Sequence, residues 1–223
     1  MNTIKHYRLW QIISPAFPVG MFAYSAGLEF AVEAGWVSSK ASTQTWLEQQ
    51  LEFNLQSVDL PLLSRFYAAW QAQDDEGLAQ WSNFLWSIRE SREMLNEDQQ
   101  LAKTMVRVLT ELGLTQAKQY EDLKGASYLL FYALACQHWD IDLTTSLQAY
   151  VWAWLENQVS AAIKLVPLGH LAGQSILSTL IDKIDAVVDA GLACPDEEIG
   201  LNLQALAIGS ALHEYQYTRL FRS

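Results

Sequence analysis

The sequence predicts an all-α fold, a single-domain helical bundle of roughly eight to ten helices. Apolar residues recur every three or four positions along nearly the whole chain, a spacing that places them on one face of a helix. No stretch of strand length alternates apolar and polar residues between turn signals. The links between periodic segments are short, and no repeat or low-complexity tract interrupts them. We therefore expect residues 1–223 to form one domain.

The first half of the chain shows amphipathic segments separated by proline, glycine and acidic turns. Gly35 is expected to cap the second helix, and the acids of residues 74–76 favour the start of another. The predicted helices are Thr3–Ile13, Ser25–Ala34, Thr43–Ser57, one with Pro61 in its first turn, one over Leu78–Ile88, and Ser91–Glu111.

The second half is more apolar. Its predicted helices are a buried one over Gly125–Ala135, one from a Thr145 capping box to about Ala162, an apolar one over Gly169–Ala190, and a last one with Pro195 in its first turn.

Composition excludes several classes of function. The 223 residues carry a formal net charge of −11, which disfavours binding to nucleic acid or to anionic lipid. Cys136 and Cys194 are too far apart for a zinc motif or a disulfide framework, so we expect a reducing, cytoplasmic setting. No apolar run approaches the roughly 20 residues of a membrane span, and no signal peptide is indicated.

The usual catalytic motifs are missing. The chain has no phosphate-binding GxxxxGK[ST] loop, no HExxH and no GxSxG. Its four histidines, at positions 6, 138, 170 and 213, are scattered one per region. We therefore predict no enzyme activity, no cofactor and no metal site, and we expect each histidine to be a surface or hydrogen-bonding residue.

An apolar loop over Ser14–Glu29 is the most unusual stretch. Pro15 and Pro18 cannot continue a helix, and Gly20 permits a backbone turn that other residues resist. Large apolar side chains fill the positions between them. Such a loop is either a buried connection between helices or a surface offered to a partner.

Lys164 stands alone in the most apolar part of the chain. It lies one helical turn after Ser160 and two after Asn157, on a narrow polar stripe. Glu29 is a candidate partner for it. The pair would either stabilise the helix or hold a charge at a partner surface. Gly169 and Gly173 indicate close helix packing or, as the alternative, a self-association face.

The tail over residues 214–223 is rich in tyrosine, arginine and phenylalanine, a composition typical of binding hot spots, whereas chain ends are usually polar. It either folds back on the body or stays loose until a partner orders it, and we favour the second alternative.

Three separated motifs carry a resemblance to a known family. They are residues 14–20 with residues 24–29, residues 161–169, and residues 217–223. In this order they resemble the urease accessory protein family UreF across nearly the whole chain. The resemblance implies an all-α homodimer without catalytic activity. It also implies binding to UreD (UreH in some organisms), recruitment of the GTPase UreG, and delivery of nickel to the apo-urease complex.

The resemblance also implies where partners bind. In the family, the aromatic near Phe22 and the arginine near Arg219 lie where UreD orders the C-terminus, which helps create the UreG surface. Lys164 would be a candidate for a checkpoint on GTP hydrolysis. The partner-binding residues expected here are Pro18, Gly20, Phe22, Ser25, Gly27, Glu29, Lys164, Pro167, Gly169, Tyr217, Arg219, Phe221 and Arg222.

Two departures from the family pattern bear on partner specificity. Met21 stands where many members have a small residue, and His170 stands where glutamine is common. Two other functions are also considered. One is an all-α enzyme that uses Glu29 and Lys164 as an acid/base pair. The other is a direct nickel carrier, which the scattered histidines disfavour.

Overall fold

The computed structural model describes residues 3–200 and 203–223, and that part of the chain is helical and contains no strand. This confirms the all-α prediction. Ten of the eleven α-helices described have at least ten residues, in agreement with the expected number. The helices are α1 (Thr3–Ile13), α2 (Leu28–Glu33), α3 (Lys40–Gln50), α4 (Leu60–Ala72), α5 (Asp75–Ile88), α6 (Arg92–Glu111), α7 (Tyr128–His138), α8 (Leu143–Leu165), α9 (His170–Ile181), α10 (Ile184–Ala193) and α11 (Gln204–His213).

Helix α7 lies at the centre of the fold. Every residue from Tyr128 to Cys136 is buried, as the sequence predicts for this segment, and the helix packs against α4, α6 and α8. Its polar groups find partners inside the core: the Trp70 indole donates to the Leu130 carbonyl at 2.8 Å, and the Tyr132 hydroxyl donates to the Ser146 carbonyl at 2.9 Å. The buried apolar side chains around α7 form one connected core.

Short polar side chains begin several helices. The Asp74 carboxylate accepts a hydrogen bond from the Gly77 amide at 2.9 Å, at the acidic turn predicted to start a helix. The predicted capping box at Thr145 is wrong. Asp142, three residues earlier, accepts from the Thr145 amide at 2.9 Å and is the N-cap of α8.

Residues 40–72 form one helical run without an intervening turn. Between α3 and α4 the nine residues Leu51–Asp59 are π-helical, so the predicted Thr43–Ser57 helix continues into the next one. Pro61 lies in the first turn of α4, as predicted. Asn54 and Asp59 both face the interior beside α8.

Two predictions for the C-terminal third are wrong. The segment predicted as one helix over Gly169–Ala190 is split into α9 and α10 at Asp182 and Lys183. Pro195 is extended, with ψ 157°, and precedes only a three-residue 3-10 turn, Asp196–Glu198. The last helix begins at Gln204, and residues 201–202 lie outside the described chain.

None of the described helices is both long and apolar enough to cross a membrane.

Candidate functional site

The apolar loop between α1 and α2 is partly buried and partly presented outward. Phe17, Val19 and Tyr24 are buried, whereas the Phe22 side chain is 62% exposed. Gly20 adopts the left-handed region at φ 88°, which lets the chain turn there. The loop therefore combines the two alternatives that its sequence left open: it connects two helices inside the fold and also exposes one aromatic side chain.

Helix α8 contacts this loop through a side chain. The Asn157 side-chain amide donates to the carbonyl oxygens of Met21 at 3.2 Å and of Tyr24 at 3.3 Å. This contact gives the polar stripe on α8 a structural role, because Asn157 is one of the residues that form it.

The tail returns to the same loop. The Arg222 amide donates to the Ala23 carbonyl at 2.8 Å. The Ser223 carbonyl accepts from the Ser25 amide at 2.9 Å and from the Ser25 hydroxyl at 2.6 Å. The N-terminal motif and the C-terminal motif, 198 residues apart in sequence, therefore bind each other directly.

Glu29 fixes the turn of the tail. Its buried carboxylate accepts the Leu220 amide at 2.6 Å and the Phe221 amide at 2.8 Å. Gly27, just before it, has φ 74°, and a Cβ there would lie 3.3 Å from Leu206 on α11. The glycine thus permits the close approach of α11 to α2, and this approach brings the tail within reach of Glu29.

His213 joins the tail site to α6. Its ring is fully buried, with Nε2 3.1 Å from a Glu29 oxygen and Nδ1 2.8 Å from a Glu93 oxygen. The Arg219 guanidinium donates to the other Glu93 oxygen at 3.1 Å. Burial raises the pKa of Glu93, whereas His213 and Arg219 oppose that rise. We call Glu29, Glu93, His213 and Arg219 the latch cluster.

Sequence reasoning missed Glu93 and His213. A signal for His213 was present, because it continues the buried face of α11 formed by Leu206, Gly209 and Ser210 at helical spacing. Glu93 gave no comparable signal, since an acidic residue in the first turn of a charged helix is usually solvated.

Lys164 does not pair with Glu29, and this expectation is wrong. The oxygens of Glu29 are occupied by His213 and two tail amides, while the exposed Lys164 ammonium lies 5.6 Å from the centre of the Phe221 ring. A cation over an aromatic face is attractive, so Lys164 contacts the tail through Phe221. The acid/base pair that an enzyme would need is therefore not formed.

The other predicted residues are distributed around this site. Pro18, Pro167 and Gly169 are exposed, and no atom lies within 4 Å of a Cβ placed at Gly169. At Gly173 a Cβ would lie 2.5 Å from Ile163, so this second glycine supports the packing of α9 on α8.

The tail exposes apolar side chains although its backbone is bound. Phe221 is buried, but Tyr217 is fully exposed, and the Arg222 side chain also faces solvent. Residues 219–223 therefore fold back on the body of the protein, whereas ordering of the tail by a partner stays a prediction. We call the exposed apolar residues of the last helix and the tail the tail face: Ile208, Leu212, Tyr215, Tyr217 and Leu220.

A second buried charge cluster lies behind the tail. Arg89 donates to Asp98 at 2.7 Å and to Asp59 at 3.2 Å, and Tyr150 donates to Asp59 at 2.8 Å. Burial favours the neutral form of Arg89, but the two carboxylates outweigh it and raise the pKa of the guanidinium. We call Arg89, Asp59, Asp98 and Tyr150 the central cluster.

A cavity of about 80 Å³ separates the central cluster from the tail. Glu97 borders it and accepts a hydrogen bond from the Ser223 hydroxyl at 2.8 Å. Burial raises the pKa of Glu97 to about 7, although the Ser223 hydrogen bond acts in the opposite direction.

The described residues contain no group of three or more His, Cys, Asp or Glu placed to hold a metal ion. Cys136 is buried in α7, and burial raises the pKa of its thiol to about 12, so the thiol stays protonated and unreactive. The arrangement around the tail is suited to holding two segments of chain together.

Comparison with known proteins agrees with the three sequence motifs. The UreF family model matches residues 37–181. The chain is 47% identical to the urease accessory protein UreF of Alkalilimnicola ehrlichii over 97% of this chain and 95% of that protein. It is 40% identical to the protein of the same name from Alcanivorax borkumensis over the full length of both. The protein of that name from Pseudomonas putida is 43% identical, over 97% and 96% of the two chains. These relatives are named for an accessory role, in agreement with the prediction that the chain is not an enzyme.

Proposed function

Because the chain belongs to the UreF family, we propose that it is an accessory protein of urease maturation that binds UreD (UreH) and recruits the GTPase UreG to apo-urease for nickel insertion. We further propose that it works in the cytoplasm as a homodimer. The name that these relatives share supports the role in urease maturation.

The observation that supports this proposal most is the joining of the N-terminal loop to the tail. Hydrogen bonds between the tail backbone and Ala23, Ser25 and Glu29 hold the tail against the body, so its outward side chains share one rigid support. Exposed aromatic and aliphatic residues grouped in this way are typical of protein-binding surfaces. We propose that UreD binds the tail face, with Phe22 at its edge, and keeps the tail ordered.

Positive charges beside the tail support a role in recruiting UreG. Lys164 and Arg222 are exposed, and Arg219 is partly so, in a chain whose formal net charge is −11. Basic residues at the rim of an interface speed association with an acidic surface and orient the partner. We propose that these three residues contact the UreD–UreG assembly, and that Lys164 influences GTP hydrolysis by UreG.

The proposal is tested by size-exclusion chromatography with light scattering on mixtures with the cognate UreD and UreG. We expect the unmodified chain to give a three-component complex. The double variant Tyr217→Ser/Leu220→Ser and a form lacking residues 217–223 should lose it, because both remove part of the tail face.

The matched control is Leu171→Ser, since Leu171 on α9 is even more exposed than Leu220 and lies outside the tail face. It should form the complex normally. A complex that survives both changes in the tail would overturn the proposed binding surface. If the unmodified folded chain binds neither protein, the proposed function itself is wrong.

A further inference from the structure

The latch cluster contains two hydrogen bonds that a neutral histidine cannot make together. His213 places Nε2 3.1 Å from Glu29 and Nδ1 2.8 Å from Glu93. A neutral imidazole has one N–H and one lone pair, and an ionised carboxylate can only accept. If His213 were neutral and both carboxylates ionised, one ring nitrogen and the carboxylate oxygen beside it would both present lone pairs. The cluster therefore holds an additional proton.

The other partners of the two carboxylates favour His213 as the group that holds that proton. Glu29 accepts two backbone amides, at 2.6 and 2.8 Å, and Glu93 accepts the Arg219 guanidinium at 3.1 Å. Hydrogen bonds and a cation of this kind favour the ionised carboxylate, and in Glu93 they oppose the burial that raises its pKa. With both carboxylates ionised, both ring nitrogens of His213 carry protons. The two negative and two positive charges of the cluster then cancel, which matters most for the buried Glu29, Glu93 and His213, where an unpaired charge would be costly.

We propose that the tail is held by a proton-dependent latch: docking of residues 219–223 needs His213 in its doubly protonated form, and loss of that proton releases the tail. This inference rests on the proposed function only in that the docked tail carries the surface for UreD. Under that proposal, pH regulates how much of the protein can bind its partner.

Every element packed around His213 supplies a charged group. Helix α2 contributes Glu29, helix α6 contributes Glu93, the residue after α11 is Glu214, and the tail contributes Arg219. Beyond them, Glu97 of α6 contacts Ser223, and the Lys164 ammonium of α8 lies 5.6 Å from the centre of the Phe221 ring. Loss of the proton from His213 leaves these carboxylates facing one buried positive charge fewer. The Arg219 guanidinium alone cannot balance both Glu29 and Glu93.

Glu97 is a second titratable group in contact with the tail. It binds the Ser223 hydroxyl, and its pKa is raised to about 7 by burial. A carboxyl group whose pKa is raised in the folded state contributes stability while it is protonated, and this contribution is lost as the pH rises from its ordinary pKa through about 7. The negative charge that Glu97 then carries lies in the cavity behind the tail. The Ser223 hydroxyl donates to this carboxylate and favours its ionised form, so the pH dependence of tail docking depends on His213.

The test is made on the isolated chain by nuclear magnetic resonance. We expect the ring nitrogens of His213 both to carry protons while the tail is docked. The Leu220 and Phe221 amides should then be protected from hydrogen exchange. After correction for the intrinsic exchange rate, their protection should fall by about tenfold per pH unit as the latch opens, the slope expected for release of one proton. The Leu134 amide in the buried helix α7 serves as the reference and should stay protected.

The Glu93→Gln variant sharpens the test. A glutamine amide can donate to Nδ1 of a neutral His213 while Nε2–H still donates to Glu29, and the glutamine oxygen can still accept from Arg219. We expect the tail of this variant to stay protected, with most of the pH dependence gone. The control, His170→Gln, removes an exposed histidine and should leave the response of the tail unchanged.

Two outcomes would overturn the latch. One is a protected tail with only one protonated ring nitrogen on His213. The other is a Glu93→Gln variant with the same pH response as the unmodified chain. Neither measurement uses a partner protein, so failure of the latch is distinguishable from failure to bind UreD.

Discussion

The two buried charge clusters of this protein use similar groups but are held in different ways. In the central cluster, Arg89 joins Asp98 and Asp59, and its members lie on or beside helices packed around the core. In the latch cluster, His213 takes the central place between Glu29 and Glu93, and the last residues of the chain supply several of the hydrogen bonds. The first cluster is part of the body of the protein, whereas the second holds a segment that could leave without unfolding the rest.

This difference is chemical as well as topological. A guanidinium stays charged at any pH that the protein meets, so the positive charge of the central cluster does not change with pH. The cation of the latch cluster, by contrast, exists only while both ring nitrogens of His213 carry protons. We infer that the central cluster serves stability and the latch cluster serves a reversible contact.

The largest effect is expected from Arg89→Met. It would leave Asp59 and Asp98 buried without a cation, which typically costs about 3–5 kcal/mol of the free energy of unfolding. Urea denaturation followed by circular dichroism measures this loss. The control is Lys183→Met, because the Lys183–Glu48 pair is half-exposed and such pairs contribute about 0–1 kcal/mol. If the two variants were equally stable, the central cluster would have no special role.

A smaller and local effect is expected from Glu29→Gln. The side-chain oxygen of glutamine can replace only one of the two acceptor atoms of Glu29, because its nitrogen only donates. One tail amide is then left without a partner, at a cost of about 1–3 kcal/mol to docking. Hydrogen exchange at Leu220 and Phe221 should speed up, while the urea midpoint of the body changes little.

The matched control for this change is Glu33→Gln, since Glu33 lies on the same helix and is exposed. It should alter neither quantity. A Glu29→Gln variant that lowers the global stability as much as Arg89→Met would show that the latch is part of the core, and the distinction between the two clusters would fail.

The helices were predictable from sequence because their signals are local. Spacing of apolar residues and short capping side chains identify most of them, and the fully apolar stretch around Phe131 predicted the buried helix α7. The errors also have local causes. Pro195 is equally compatible with a helix start and with an extended turn, and only the packing of the last third decides between them. The break at Asp182 and Lys183 has no glycine or proline to mark it.

The site was predictable only in part. The N-terminal loop and the tail were both recognised as unusual, and Ser25, Glu29 and Phe221 do lie together. Their mutual binding could not be predicted, because contacts between residues almost 200 positions apart leave no periodic pattern in one sequence. Lys164 was paired with Glu29 on the basis of charge alone, because nothing in the sequence shows that Phe221 lies beside Lys164.

The smallest effect is expected from Lys164→Met, which keeps the apolar stem of the side chain and removes its charge. An exposed cation over an aromatic ring contributes about 0.5–1 kcal/mol, so exchange of the Phe221 amide should speed up by a few-fold and stability should be unchanged. Lys103→Met, on an exposed part of α6, is the control and should change neither. If Lys164→Met left the tail docked but weakened the complex with UreD and UreG, the charge would serve the partner more than the tail. A variant unchanged in both assays would show that Lys164 has neither role, and the tail would then be held without a contribution from its charge.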